Sequence, residues 1–258
     1  MNNEAEPIIS PLAADETEEI VCTECGAIFV WARTEVLGRV FGRPSVCPAC
    51  RATAATADSA RLSAQLKAAR AADWKTICPA EFRNTDAARV PWQKGWCAAT
   101  RWQTHVEGKR NPRGLALIHP QTGAGKTRSA YEAVRRAHLA GLGCYSISAS
   151  RFAWAATSQF GDGDRALKAR NILESARSAS VLLLDDIGKE RMTERPEAEL
   201  FSVLDDRTNR QKPTIWTANH SPKELLATFS AERGPYIVRR LEEFAEVVTG
   251  GQFTNAKP

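Results

Sequence analysis

Residues 115–127 read LALIHPQTGAGKT, and this stretch decides the fold class of the 258-residue chain. An apolar run that suits a buried strand leads into small residues and a Lys-Thr pair, and a helical pattern follows from Ser129 to Leu139. A strand, a glycine-rich loop and a helix in this order predict a phosphate-binding loop. Pro120 replaces the first glycine of the usual pattern G-x-x-x-x-G-K-[ST], so we expect a stiffer loop entry but an intact site.

Each residue at the end of this loop has a chemical task. Small residues at Gly123, Ala124 and Gly125 let backbone N–H groups close around a β-phosphate, and the helix N-terminus adds partial positive charge. Lys126 is expected to reach the β- and γ-phosphates, and the Thr127 hydroxyl to bind Mg²⁺. The loop therefore predicts a site for ATP and Mg²⁺, with a chance glycine-rich turn as the alternative.

Two further strand ends carry polar residues that favour the nucleotide site over a chance turn. Residues 181–186 read VLLLDD, an apolar run typical of a strand buried on both faces. We expect Asp185 to hold Mg²⁺, directly or through water, and Asp186 to orient or deprotonate the attacking water. Residues 213–219 form another strand pattern that ends in Asn219, which is either a γ-phosphate sensor or an ordinary turn residue.

Strand and helix patterns alternate along residues 115–245, which predicts a parallel sheet flanked by helices, with nucleotide at the carboxyl ends of the strands. The predicted strands are 115–118, 143–148, 181–185 and 213–218. The predicted helices are 127–139, 149–157, 165–177, 195–209, 222–228 and 235–245. The fold class is therefore α/β.

Composition and charge narrow the class of protein. The chain is 43% hydrophobic and 25% charged, which is typical of a soluble globular protein. It has no apolar stretch near 18 residues and no basic, apolar leader, so we expect neither a membrane span nor a secretory signal, and a cytoplasmic location. Residues 1–20 carry six carboxylates and no Lys or Arg, so the rest of the chain is strongly basic. A basic body suits a polyanion such as nucleic acid, although a solvated surface rich in Arg is an equal alternative.

Four of the seven cysteines form a doubled motif. Cys22 and Cys25 make one C-x-x-C pair, and Cys47 and Cys50 make a second pair after 21 intervening residues. Two such pairs at this separation predict a tetrahedral zinc site, with a redox dithiol or unliganded cysteines as alternatives. A module this small needs the metal for its stability.

Taken in order, the motifs resemble those of the AAA+ ATPases of the DnaC/DnaI helicase-loader family. The similarity covers about residues 74–253 and includes the phosphate loop, the Asp-Asp strand end and the strand that ends in Asn219. A zinc module in front of the ATPase is also similar to the DnaI type. By this resemblance Arg240 is the arginine finger that reaches a neighbouring subunit's ATP. Thr254 stands where the family has its sensor-2 Arg, so hydrolysis is expected to be slow or to depend on a partner.

The resemblance also implies an organisation and a function. The predicted segments are a disordered acidic tail at 1–19, a zinc-binding module at 20–51, a helical linker at 52–73 and an AAA+ ATPase domain at 74–258. The implied function is ATP-dependent loading of a hexameric replicative helicase onto single-stranded DNA, with self-association through the ATPase domain. An IstB-like transposition helper and a nucleotide-gated adaptor with little turnover are the alternatives. Four tryptophans between residues 73 and 113 could stack on DNA bases, but packing against the ATPase core is favoured.

Overall fold

A computed structural model describes residues 17–32, 35–36, 39–40, 42–84, 86–106, 113–189 and 191–252. The chain divides into two compact units, residues 1–66 and residues 67–258. Among the residues that the structure describes, no helix has the length and apolar character needed to cross a membrane.

The first unit contains short antiparallel strand pairs and the beginning of a long helix. Strand β1 (Thr17–Val21) pairs with β2 (Ile28–Ala32), and β3 (Glu35–Val36) pairs with β4 (Arg39–Val40). Helix α1 (Pro48–Ile77) begins here and ends in the second unit.

Strand β1 corrects part of the predicted disordered tail. Glu18 and Glu19 lie opposite Trp31 and Val30 of β2, and this ladder orders the end of the acidic segment. Residues 1–16 of that segment lie outside the described residues.

The second unit is a parallel sheet with helices on both faces. Its strands are β5 (Gly114–Ile118), β6 (Cys144–Ser148), β7 (Val181–Ile187), β8 (Thr214–Ala218) and β9 (Ala245–Thr249). Its helices after α1 are α2 (Gln93–Val106), α3 (Lys126–Leu139), α4 (Ala149–Ser158), α5 (Asp164–Ser178), α6 (Glu194–Asn209), α7 (Pro222–Leu226) and α8 (Gly234–Glu243). Short 3₁₀ turns cover Ala80–Phe82 and Ala87–Arg89.

The strand order is β6-β7-β8-β5-β9, and every neighbouring pair is parallel. The predicted α/β class and its flanked parallel sheet are confirmed. Strand β9 is a correction, because the sequence prediction runs a helix through to residue 245. Helix α8 ends at Glu243, and the β-branched run that follows pairs with β5, whose second edge would otherwise lack hydrogen bonds.

Alternate strand residues serve two apolar clusters, one on each face of the sheet. Ile118, Leu184 and Trp216 pack with α4, α5, α6 and α8, whereas Leu117 and Leu183 pack with α1, α2 and α3. The predicted packing role of the tryptophan-rich segment holds for three of its four members, since the side chains of Trp74, Trp92 and Trp102 are buried. A core on both faces fixes the strands, and their carboxyl ends therefore form a rigid edge.

Candidate functional site

The phosphate loop lies between β5 and α3 and depends on its glycines. Gly123 and Gly125 have φ angles of 83° and 96°, in the left-handed region that favours glycine. A Cβ atom on Gly125 would also lie 2.7 Å from Cγ1 of Val90. Helix α3 begins at Lys126, so its free backbone N–H groups point into the loop, as an anion site requires.

Neighbouring segments brace this loop from outside. The Trp92 N–H donates to the Ala124 carbonyl at 3.1 Å, and the Gly250 N–H donates to the Ile118 carbonyl at 3.0 Å. The His119 ring packs against Trp92, with 5.3 Å between ring centroids. Burial, with help from the charge of Lys126, lowers the pKa of His119, which fits a ring that packs beside the loop.

Lys126 is the buried cation of the loop. Its side chain is 5% exposed, and Nζ donates to the Gln121 carbonyl at 3.0 Å. Burial lowers the pKa of Lys126, while the nearby carboxylates of Asp186 and Asp185 raise it. Among the described residues this buried ammonium has no charge partner at hydrogen-bond distance, and an anion in the loop would supply one.

Asp185 and Thr127, the two residues predicted to bind Mg²⁺, are in direct contact. The Thr127 hydroxyl donates to Oδ1 of Asp185 at 3.0 Å, and the Thr217 hydroxyl donates to the same oxygen at 2.7 Å. Burial raises the pKa of Asp185, and the hydrogen bond from Thr217 opposes that shift. A hydroxyl and a half-buried carboxylate are hard oxygen donors of the kind that Mg²⁺ selects, so these residues fit the ion.

Asp186 is held in an unusual backbone conformation. Its φ angle is 60°, which non-glycine residues rarely adopt and which often marks a functional position. The Asp186 N–H donates to the Thr217 hydroxyl at 2.9 Å, so one buried threonine fixes both acids. Sequence reasoning missed Thr217, because only the pairing of β7 with β8 brings its hydroxyl to both acids.

Asn219 shares a cleft of about 300 Å³ with the phosphate loop and Asp186. Its side-chain Oδ1 is buried and has no hydrogen-bond partner among the described residues. The cleft is lined by Phe82, Thr122, Gly123, Gly125, Lys126, Thr127, Arg128, Asp186, Lys189 and Asn219. A buried amide oxygen with no partner suits a ligand or water in the cleft, in line with the predicted sensor role.

Arg240 lies away from this cleft. It is near the end of α8, forms an ion pair with Asp205, and lies beside Thr214 and Ala245 at the amino ends of β8 and β9. Its guanidinium carbon is 5.9 Å from the centroid of the Phe244 ring. Within one chain the structure therefore does not bring Arg240 to the nucleotide residues, and a role in hydrolysis requires a second subunit.

The four predicted zinc ligands of the first unit come together. The sulfur atoms of Cys22, Cys25, Cys47 and Cys50 lie within 4.8 Å of one another. The Cys47 N–H donates to the sulfur of Cys22 at 3.2 Å and lowers the pKa of Cys22 to about 6. Hydrogen bonding with Cys25 raises the pKa of Cys50 to about 12. Four thiols so close cannot all ionise without a cation, so this donor set fits Zn²⁺.

Comparison with known proteins agrees with this geometry. The sequence profile of the family described as IstB-like ATP binding protein matches residues 51–250. The replicative helicase loader DnaI of Bacillus subtilis (strain 168) is 41% identical over 64 residues, which are 24% of this chain and 21% of that protein. The chain thus aligns with about a fifth of the length of this curated relative.

Several solved structures share the fold of this chain. A crystal structure of DnaI has a TM-score of 0.55 at 18% identity and covers 70% of this chain and 98% of its own. A crystal structure of the DnaC helicase loader has a TM-score of 0.53 at 20% identity and covers 66% of this chain and 99% of its own. A putative primosome component from Streptococcus pyogenes serotype M3 has a TM-score of 0.54 at 19% identity and covers 67% of this chain and 90% of its own. The resemblance inferred from the motifs is confirmed at the level of fold.

Proposed function

This chain belongs to the family of IstB-like ATP-binding proteins, and from that premise we propose that it is an ATPase that loads a replicative DNA helicase onto single-stranded DNA. The observation that supports hydrolysis is the hydrogen-bonded arrangement of Thr127, Asp185 and Thr217 beside the phosphate loop. Thr217 also accepts a hydrogen bond from the backbone N–H of Asp186. It lies one residue before the end of β8, and Asn219 follows that end directly.

The proposed chemistry is attack of water on the γ-phosphorus of ATP. A new bond forms from the water oxygen to phosphorus, the bond to the bridging oxygen breaks, and ADP leaves with that electron pair. Asp186 accepts the proton of the water, and Asn219 holds the water or the γ-phosphate through its side-chain amide. Lys126 and the loop N–H groups hold the phosphates. Mg²⁺, held by Thr127 and Asp185, would neutralise charge on the phosphate oxygens.

The zinc module supports helicase loading over other uses of this ATPase fold. We propose that residues 20–51 bind Zn²⁺ through the four cysteines and contact a hexameric helicase. Residues 52–73 then serve as a helical linker, and residues 74–258 form the AAA+ domain. DnaI, which shares 41% identity over its aligned part, is itself a replicative helicase loader.

Single-stranded DNA and further copies of this chain are the other proposed partners. The basic charge outside the acidic N-terminal segment favours a polyanion. Because Arg240 lies far from the cleft of its own chain, we propose that it completes the ATP site of a neighbouring subunit. We also propose a cytoplasmic location and no membrane partner.

A transposition helper of the IstB type is the second candidate, because the family match favours it directly. The four-cysteine cluster ahead of the ATPase argues for the loader. An adaptor that binds ATP with little turnover is the third candidate. It rests on the missing sensor-2 Arg at Thr254, which lies outside the described residues, and the complete set of Lys126, Asp185 and Asp186 argues against it.

Capture from a host lysate tests the loader against the helper. The full chain is immobilised with ATP and Mg²⁺, and bound proteins are identified by mass spectrometry. A loader should retain the replicative helicase, and the variant with Cys22 and Cys47 replaced by Ser should lose it while it still binds ATP. Retention of a transposase instead of a helicase would favour the helper and contradict loading.

A further inference from the structure

Lys189 is a cation of the nucleotide cleft that the proposed chemistry leaves unused. It follows two residues with left-handed backbone angles, Asp186 and Gly188, at the carboxyl end of β7. Lys189 lines the cleft together with Lys126, Thr127 and Asn219. Its Nζ lies 4.0 Å from Oδ2 of Asp186, and its side chain is 67% exposed.

The other cations that line the cleft are already engaged. Lys126 is buried and donates to the Gln121 carbonyl. Arg128 donates to the Glu81 carbonyl at 3.3 Å, and its guanidinium carbon lies 5.6 Å from the centroid of the Phe82 ring. Of these three cations, Lys189 has the most freedom to move toward a bound phosphate.

We propose that Lys189 is a catalytic residue that contacts the γ-phosphate of bound ATP and stabilises the charge that develops there during hydrolysis. The inference rests on the proposed function as an ATPase. Without nucleotide, Lys189 pairs with Asp186. With ATP bound, the ammonium moves to the more strongly charged γ-phosphate and leaves the Asp186 carboxylate free to accept the proton of the attacking water.

Breaking the ion pair between Lys189 and Asp186 should cost little free energy. An ion pair at 4.0 Å between side chains that are 67% and 36% exposed is screened by water and contributes little. A phosphate oxygen in a cleft lined by three cations and one carboxylate offers a stronger partner.

Binding of a transition-state mimic tests this role without relying on turnover. Fluorescent ADP is titrated with Mg²⁺ into the full chain, alone and with aluminium fluoride, which occupies the place of the γ-phosphoryl group. Lys189→Ala should bind ADP alone as wild type does, because ADP lacks the γ-phosphate. Its affinity for ADP with aluminium fluoride should fall by roughly ten- to a hundred-fold, the size of one charge-assisted hydrogen bond.

Two further variants separate the specific contact from a general charge effect. Lys189→Arg keeps the charge and should retain most of the affinity for the mimic. Arg191→Ala is the matched control, because Arg191 shares a neighbouring groove with Asp186 and Lys189 but does not line the nucleotide cleft. It should bind the mimic as wild type does.

The outcomes distinguish this inference from the function on which it rests. If wild type binds neither ADP nor the mimic, the proposed ATPase fails and the role of Lys189 fails with it. If wild type binds the mimic and hydrolyses ATP while Lys189→Ala binds the mimic equally well, the ATPase stands and the role of Lys189 is overturned. Equal losses in Lys189→Ala and Arg191→Ala would also overturn it.

Discussion

Replacing Thr217 by Val tests whether one hydroxyl organises both acids of the site. Thr217 is completely buried, donates to Asp185 at 2.7 Å and accepts from the Asp186 N–H at 2.9 Å. Valine has nearly the same shape but makes neither bond. Losing a bond to a carboxylate and leaving a buried N–H without a partner should together lower the free energy of unfolding by about 2–4 kcal/mol.

Denaturant unfolding followed by tryptophan fluorescence measures this loss, because six of the seven tryptophans belong to residues 67–258. Thr217→Ser keeps the hydroxyl and loses one buried methyl group, so it should cost about 1 kcal/mol. Thr157→Val is the control, since the Thr157 side chain is exposed on α4 and its loss should change stability by at most about 0.5 kcal/mol. The reasoning would be refuted if Thr217→Val were as stable as wild type, or if it lowered the free energy of unfolding no more than Thr217→Ser does.

Three other predictions concern the zinc module, the subunit interface and the core. Replacing Cys22 and Cys47 together by Ser should release one zinc ion per chain, and purified wild type without zinc in metal analysis would contradict the site. Arg240→Ala should bind ATP yet hydrolyse it about 10³-fold more slowly or worse, and mixing it with Lys126→Ala should restore activity; an inactive mixture would rule out action between subunits. Arg207→Met should lower the free energy of unfolding by about 2–5 kcal/mol, because the buried guanidinium donates to several backbone carbonyls at the ends of α5 and β8, and unchanged denaturation would contradict this.

The sheet was predictable wherever its strands carry a strong local pattern. β5 and the first four residues of β7 are continuous apolar runs, β8 is rich in β-branched residues, and all three strands lie where the sequence predicts them. β9 was not predictable in this way, because three of its five residues are exposed and the segment follows an amphipathic helix without a turn signal. Only pairing with β5, a contact between distant parts of the chain, makes this segment a strand.

Some residues of the candidate site were likewise predictable from sequence, and others were not. Residues that act through their own motif, such as Lys126, Thr127 and Asp185, were identifiable from sequence, and the structure brings them together. Thr217 and Lys189 were not, because their roles depend on which strand lies beside β7 and on the left-handed turn after it. Sequence shows the groups that belong to a recognisable motif, whereas groups outside the motifs, such as Thr217 and Lys189, become visible only through tertiary contacts.

ATP binding and hydrolysis by the cleft between the phosphate loop and Asp186 can be tested in one titration. A fluorescent ATP analogue is added with Mg²⁺ to wild type, Lys126→Ala and Asp186→Asn, and hydrolysis is followed in the same samples. Wild type should bind and hydrolyse, Lys126→Ala should lose binding because the phosphate cradle loses its buried cation, and Asp186→Asn should bind but not turn over. Binding by Lys126→Ala with the affinity of wild type would contradict the assignment of the nucleotide site.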